Sequence, residues 1–293
     1  MAPQTVLITG CSSGIGLATA LVLAKDELSR FKVYATMRNL KSKSNLEKEA
    51  GDTLNKTLFI RELDVTKDPT IKSVVDGILG ESGRIDVLIN NAGYMSLDAI
   101  DQRSLEWCQA MMDTNYWGVV RTTNAVLPAM KKQMSGRIIN VSSMAGVRAV
   151  PFYATYSAAK FAVEGFSESI APVLRDGYNI RVSIVEPGPV KTELFNKVLG
   201  TPFEEQAKDF DPVLREVFLT NVKRMMTSAM LSVTQSADEI AKLHMDIILS
   251  EKPHLRYQTT ENLTKAAAEK LRDPTTDFLL EMLEQAQDRY SAK

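Results

Sequence analysis

An α/β fold built on a doubly wound parallel sheet is predicted by three observations. Seven short β-branched runs are spread along the chain, segments with apolar residues every three or four positions lie between them, and a glycine cluster follows the first run directly. Strands that alternate with helices return to the sheet through crossovers, so the sheet is parallel and helices cover both of its faces.

The runs are TVLIT at 5–9, KVYAT at 32–36, TLFIREL at 57–63, DVLIN at 86–90, GRIINVSS at 136–143, IRVSIVEPG at 180–188 and LRYQT at 255–259. Helical spacing marks Gly16 to Leu28, Ile71 to Gly80 and Leu105 to Met130 between them. After Gly188 the alternation weakens, and 189–235 reads as an irregular helical insertion over the carboxyl ends of the strands, a substrate-binding lobe. Two helices are expected after the last strand. The second has Asp273 as N-cap and Pro274 in its first turn, and its stripe of Phe278, Leu279, Met282 and Leu283 is expected to rest on the body of the domain. No repeat, low-complexity tract or Gly/Ser linker divides residues 1–293, so a single domain is expected.

Bulk composition narrows the partners. The 35 basic and 36 acidic side chains of the 293-residue chain nearly cancel and form no long single-sign run, which argues against nucleic acid and for a small molecule. Cys11 and Cys108 are too few for a disulfide framework, so a reducing compartment is expected. The first apolar run starts after four residues, leaving no room for a signal peptide, and no run approaches the roughly 18 residues of a membrane span. The expected location is the cytosol, with peripheral membrane contact left open.

TGCSSGIG, Thr9 to Gly16, joins the first strand to the first helix. Gly10 allows a sharp turn, Gly14 a close approach of backbone to a pyrophosphate, and Gly16 tight contact between helix and strand, while free amides at the helix start attract the anion. Ile15 belongs to the same loop. Its Gly-x3-Gly-x-Gly spacing departs from G-x-G-x-x-G, so the loop alone is also consistent with an ordinary strand-to-helix turn. The second strand adds to this. It runs into Met37 and Arg38 with no carboxylate there, and Arg38 can clamp a ribose 2′-phosphate in bidentate fashion, helped by the hydroxyls of Ser12 and Ser13. NADP(H) is therefore the expected cofactor, with NAD(H) second.

TGCSSGIG, NNAG at 90–93, NVSS at 140–143, YSAAK at 156–160 and EPG at 186–188 stand in order on one chain. Together they resemble the classical short-chain dehydrogenase/reductase family, which implies a Rossmann-type fold of about seven strands with a small helical substrate lobe. VLITGCSSGIG, FKVYATMRNLK, KVLG at 197–200, LRYQTTE and LRDP resemble, more narrowly, the subgroup of 17β-hydroxysteroid dehydrogenase type 1 and photoreceptor-type retinol dehydrogenase.

Hydride exchange between a nicotinamide and an alcohol or carbonyl requires a group that handles the hydroxyl proton. A phenol, with an ordinary pKa of ~10, needs help to do so near neutrality. Lys160 stands one helical turn after Tyr156 on the same face, and its charge is expected to lower the pKa of the Tyr156 phenol. By resemblance Lys160 also anchors the cofactor ribose. Ser143, thirteen residues before Tyr156, matches the family's serine, whose hydroxyl bonds the substrate oxygen; Ser142 faces the other way and is read as structural. The resemblance makes Asn115 a relay that holds a water beside the lysine, Asp64 and Val65 adenine contacts, and Asn91, Ala92 and Gly93 the stretch over the adenosine. Pro187 and Gly188 end the sixth strand at the nicotinamide, Val190 and Thr192 bind its carboxamide, and the pro-S hydride is transferred. Family members often pair through the helices at 105–130 and 153–176, which implies a homodimer.

The substrate residues are expected to include Ser143, Val150, Tyr153, Phe195, Met225 and Met226, an apolar and adaptable lining suited to a steroid or retinoid. The oestrogen-converting relative is expected to hold the distal phenol with a histidine, and none occurs between Pro189 and Gln235. His244 reads as an ordinary helix residue and His254 as one entering the last strand. The expected function is thus an NADP(H)-dependent oxidoreductase for a steroid or retinoid. A broad carbonyl reductase is the first alternative. A non-catalytic nucleotide sensor is the second, disfavoured because Tyr156 and Lys160 are both present.

Overall fold

A computed structural model describes residues 2–98, 102–193, 200–222 (side chains of 221 and 222 excepted) and 234–276. The strands are β1 (Gln4–Ile8), β2 (Phe31–Met37), β3 (Leu58–Glu62), β4 (Val87–Asn90), β5 (Gly136–Val141), β6 (Ile180–Glu186), β7 (Val190–Lys191), β8 (Gln235–Ser236) and β9 (Arg256–Gln258). Seven of them form one parallel sheet in the order β3-β2-β1-β4-β5-β6-β9. The strand order reverses between β1 and β4, and at such a switch point the adjoining loops diverge and leave a crevice.

Val6, Leu7 and Ile8 of β1 are fully buried because helices lie on both sides of the sheet. Val6 and Ile8 point to one face with Val33, Ala35, Ile240 and Ile247, under the helices α1 (Gly14–Ala24), α2 (Ser44–Ala50) and α9 (Ala237–Leu249). Leu7 points to the other face with Tyr34, Leu88 and Ile138, under α3 (Asp68–Ser82), α5 (Gly118–Gln133) and α6 (Ala154–Tyr178). Where α1 meets α9, the Thr19 hydroxyl and Nδ1 of the fully buried His244 are 2.9 Å apart. Burial pushes this imidazole down to about 4, which keeps it neutral. His244 is thus a core residue with a specific partner.

The segment expected as one helix from Leu105 to Met130 is divided. α4 (Leu105–Met112), capped by Ser104, runs into a π-helical turn, Asp113–Trp117, before α5 begins. A π turn inserts an extra residue and so re-aims the side chains within it. The start of a last helix at Asp273 is not observed. Asp273 instead follows α10 (Glu261–Arg272), and its carboxylate accepts from the Thr275 amide at 3.0 Å and hydroxyl at 2.6 Å, an Asx turn. The stripe from Phe278 to Leu283 lies outside the described residues.

β7 pairs with β8, and the Gln235 amide donates to the Pro189 carbonyl at 3.0 Å, so the two ends of the 189–235 segment lie side by side. Within it stand α7 (Phe203–Gln206), α8 (Pro212–Val217) and a second π-helical turn, Phe218–Val222. Phe210 and Phe218 converge there on Phe152, with ring centroids 5.7 and 5.2 Å away, and are joined by Leu97 and Tyr153.

Candidate active site

The strand ends open on a cleft of about 490 Å³. Its walls are the glycine loop after β1, Met37 and Arg38 at the end of β2, Leu63 to Val65 after β3, Asn91 to Met95 after β4, Val141 to Ala145 at the end of β5, and Pro187 to Pro189 after β6. Val190 and Thr192 continue this wall, while Val150, Tyr153, Tyr156 and Lys160 stand on the side of α6.

The loop has the shape its glycines allow. Gly10 and Gly14 adopt φ of +73° and +61°, the left-handed region that side chains disfavour. A Cβ on Gly10 would stand 2.7 Å from the Ala92 Cα, and one on Gly16 would overlap both Asn91 Nδ2 and the Gly10 carbonyl oxygen. Asn91 holds the loop from the neighbouring strand, Nδ2 donating to the carbonyls of Thr9 at 2.9 Å and Gly10 at 3.0 Å. Ser12, Ser13, Gly14 and Ile15 line the cleft, and Gly16 stands behind it as the contact between helix and loop. The Ser13 side chain makes no capping bond to α1.

At the far end of β2, Arg38 is exposed on the cleft rim. The Asp64 carboxylate accepts from the Thr66 amide at 3.0 Å and hydroxyl at 2.7 Å. Burial works against its charge, but those bonds, Lys67 and Arg38 together hold the carboxyl below its ordinary range. The pair of residues on this rim is therefore one anchored anion and one exposed guanidinium.

Asn115, expected to hold a water beside the lysine, sits behind Gly93. It is fully buried in the π turn, and its amide is spent on the backbone of Tyr94: Oδ1 accepts from the Tyr94 amide at 2.9 Å and Nδ2 donates to the Tyr94 carbonyl at 2.8 Å. It does not line the cleft; the neighbouring Thr114 does. A Cβ on Gly93 would meet Asn115 Oδ1 at 2.6 Å, so this clamp requires glycine at 93. Asn90 sits deeper. Nδ2 donates to Asn140 at 2.9 Å and Thr123 at 3.1 Å, tying β4, β5 and α5 together.

Ser143, Tyr156 and Lys160 meet in the cleft. The Ser143 hydroxyl lies within hydrogen-bonding reach of the Tyr156 phenol and also accepts from the Ala145 amide at 3.1 Å. Lys160 Nζ lies 5.7 Å from the centre of the Tyr156 ring and donates to the Val141 carbonyl at 2.9 Å. The expected lowering of the phenol pKa by Lys160 is not found in the protein alone. Burial pushes Tyr156 up, and the hydrogen bond from Ser143 is what opposes it. The ammonium itself is buried, which pushes Lys160 down to about 8, with Glu164 acting to raise it. Both side chains nevertheless face the same space as the glycine loop.

Of the expected substrate residues, Val150 and Tyr153 line the cleft, and Phe195, Met225 and Met226 lie outside the described residues. The Tyr153 hydroxyl is buried with no hydrogen-bond partner among the described residues. Three residues that support the site from behind its walls were missed. Glu164 follows Lys160 by four positions, a helical signal that could have found it. Asp98 and Arg256 are brought to α6 only through long-range folding. The Asp98 carboxylate accepts from the Ala154 and Thr155 amides at 2.7 and 2.8 Å and so caps α6 just ahead of Tyr156.

A family model described as short chain dehydrogenase matches residues 4–201. The chain is 41% identical to Retinol dehydrogenase 8 of Bos taurus over 94% of this chain and 87% of that protein. It is 36% identical to 17-beta-hydroxysteroid dehydrogenase type 1 of Homo sapiens over 94% of this chain and 83% of that protein. Among solved structures, a short-chain dehydrogenase from Streptomyces avermitilis aligns with TM-score 0.73 and 26% identity, covering 99% of each chain. The closed form of a serine dehydrogenase complexed with NADP+ aligns with TM-score 0.70 and 27% identity over 87% of this chain and 94% of that one.

Proposed function

The chain belongs to the short-chain dehydrogenase family, an oxidoreductase family acting on alcohols and carbonyls with a nicotinamide cofactor, and on that premise we propose that it uses NADP(H) to interconvert a hydroxyl and a carbonyl on a retinoid or steroid. The observation that carries this reading is the continuity of one cleft from the glycine loop to Ser143, Tyr156 and Lys160. A bound nicotinamide supplies or accepts the hydride. The chain fits such a group: Gly10 and Gly93 stand where side chains would collide with neighbours, Gly14 takes a left-handed φ on the cleft wall, and the start of α1 faces the cleft.

The protein's own part is binding and proton transfer. A phenol held above its ordinary pKa stays protonated at neutral pH, so Tyr156 is set as the acid that gives its proton to a carbonyl oxygen during reduction. Ser143 donates to that same oxygen as negative charge develops. Lys160 supplies positive charge beside the phenolate that remains and a donor for the ribose. Arg38 on the exposed rim favours a 2′-phosphate.

Support for a hydrophobic substrate comes from the apolar wall of Met95, Met144 and Val150 beside the Phe152, Phe210 and Phe218 cluster. The relatives named for retinol and 17-beta-hydroxysteroids favour those two classes. His244 and His254 lie away from the cleft walls, so neither offers the distal contact expected for an oestrogen phenol. No helix among the described residues is long and apolar enough to cross a membrane. Pairing of two copies through the helical segments 105–130 and 153–176 is proposed as well, where Trp117 and Val173 are exposed; light scattering at micromolar concentration tests it.

A turnover screen following NADPH fluorescence across retinoids, steroids and simple ketones tests the reading. Sharp preference for one polyene or polycyclic class supports it, broad turnover points to a general carbonyl reductase, and no turnover of any carbonyl overturns it.

A further inference from the structure

Behind the wall that carries Lys160 lies a buried charged cluster that the chemistry above does not use. Glu164, on the next turn of α6, is 4% exposed, and Glu186 at the end of β6 is fully buried. One guanidinium from β9 serves both: Arg256 Nη1 donates to Glu164 Oε2 at 2.5 Å and to Glu186 Oε1 at 2.8 Å, while Nη2 reaches Glu168 at 2.7 Å. Gln258 donates to the remaining Glu186 oxygen at 2.7 Å. The second Glu164 oxygen, Oε1, is buried with no bond of acceptable geometry among the described residues, as is the Ser142 hydroxyl that faces this carboxyl from just after β5.

The packing leaves Glu164 little freedom. A Cβ on Gly146 would meet Ser142 Oγ at 2.7 Å and Glu164 Cγ at 3.1 Å, so the turn after Ser143 closes directly over the carboxyl. Glu164 stands one helical turn after buried Lys160 on α6, and its other neighbours are Glu168 from the same helix, Ser142 just after β5, Glu186 from β6 and Arg256 from β9. All three carboxylates compete for Arg256, and Lys160 is the cation without an ion pair of its own among these groups. Its ammonium bonds a neutral carbonyl.

We propose that Glu164 is a positioning residue for Lys160: its buried carboxylate keeps the lysine in the ammonium form, and its bond to Arg256 ties that function to strand β9. The proposal rests on the reading that Lys160 serves the Tyr156 proton transfer. Titration behaviour agrees with the geometry. Burial pushes Glu164 up to about 7, with Ser142 opposing and Glu186 reinforcing the rise, and Glu164 is the group that raises Lys160. The carboxyl therefore ionises as pH approaches the range in which Lys160 would lose its proton, and its charge delays that loss.

Glu164→Gln tests this without emptying the space, since the amide oxygen can still accept from Arg256, and Glu186 and Glu168 remain. The basic limb of both kcat and NADPH affinity should move toward acid by about one pH unit, and Glu164→Asp should move it back toward wild type. An unmoved limb with a lowered Tm would make Glu164 merely structural and overturn the proposal. A second measurement uses the wild-type protein labelled with 13C at glutamate carboxyls. One resonance should titrate near pH 7, well above the ordinary glutamate range, and its absence overturns the proposal even if the Gln variant does not fold. Because NADPH binding and the carboxyl resonance are read without a substrate, a failure to find turnover counts against the enzymatic reading and leaves this one to its own test.

Discussion

At the end of the cleft beside α1, several positions accept a single residue type. At the other end, beside Phe152, the wall is made of apolar side chains that could exchange for one another. A Cβ at Gly10 or Gly16 collides with backbone, so mutation there is penalised by hard contacts. The cluster of Leu97, Phe210 and Phe218 is held by area and shape, and volume-conserving changes cost little. The difference teaches that the cofactor end is specified position by position, whereas the substrate end is specified only as a class of surface.

Four experiments probe that contrast. The largest effect is expected at the polar end: Tyr156→Phe removes one oxygen and should lower kcat roughly 10²- to 10⁴-fold while NADPH affinity, read by fluorescence titration, stays close to wild type. Turnover that survives this change would remove the acid from the polar end.

The polar end should also differ in its response to pH, because buried titrating groups sit behind it. Glu164 is raised from 4.5 to about 7, so the folded protein keeps a proton the unfolded chain has lost, and its contribution to stability declines as pH rises through that window. His244 is lowered from 6.5 to about 4, so the unfolded chain takes up a proton that the folded one refuses, and its contribution declines as pH falls through that window. The two contributions oppose each other and largely cancel between pH 4.5 and 6.5. Glu164→Gln should expose the histidine slope, a rise in stability with pH of about 3 kcal/mol across the window. Thermal melts at a series of pH values check this, and a flat profile in the variant would contradict it.

Arg38→Glu should weaken NADPH roughly 10- to 100-fold relative to NADH, the scale of a lost charge-assisted hydrogen bond. Equal weakening of both would remove the phosphate role of the rim. The smallest effect belongs to the apolar end: Phe218→Leu should cost about 1 kcal/mol of stability, shift the ranking of substrates, and leave both cofactor affinities unchanged.

The same contrast explains what the sequence disclosed. The parallel sheet, its seven strands and the positions that line the cleft were legible because glycine, tyrosine and lysine at those spacings answer local geometric demands. Asp273 misled because an Asx turn and a helix cap use the same carboxylate, and only the conformation of the following residues separates them. The Asn115 amide was not legible as a clamp, since its partner Tyr94 is brought to it by a π turn that spacing does not announce. Lys160 was read by its neighbour on the helix, yet burial, which depends on the whole fold, reversed the sign of the shift expected for Tyr156.

Asp98 gives the molecule a mechanical property. Its carboxylate grips the opening amides of α6 while its own amide donates to the Phe152 carbonyl at 2.8 Å, so the strand exit that begins at Asn91 and the turn bearing the phenol are fastened as one piece. Met95, on the wall of the cleft, thus stands on a segment bolted three residues later to the mounting of Tyr156, so the two share one rigid footing.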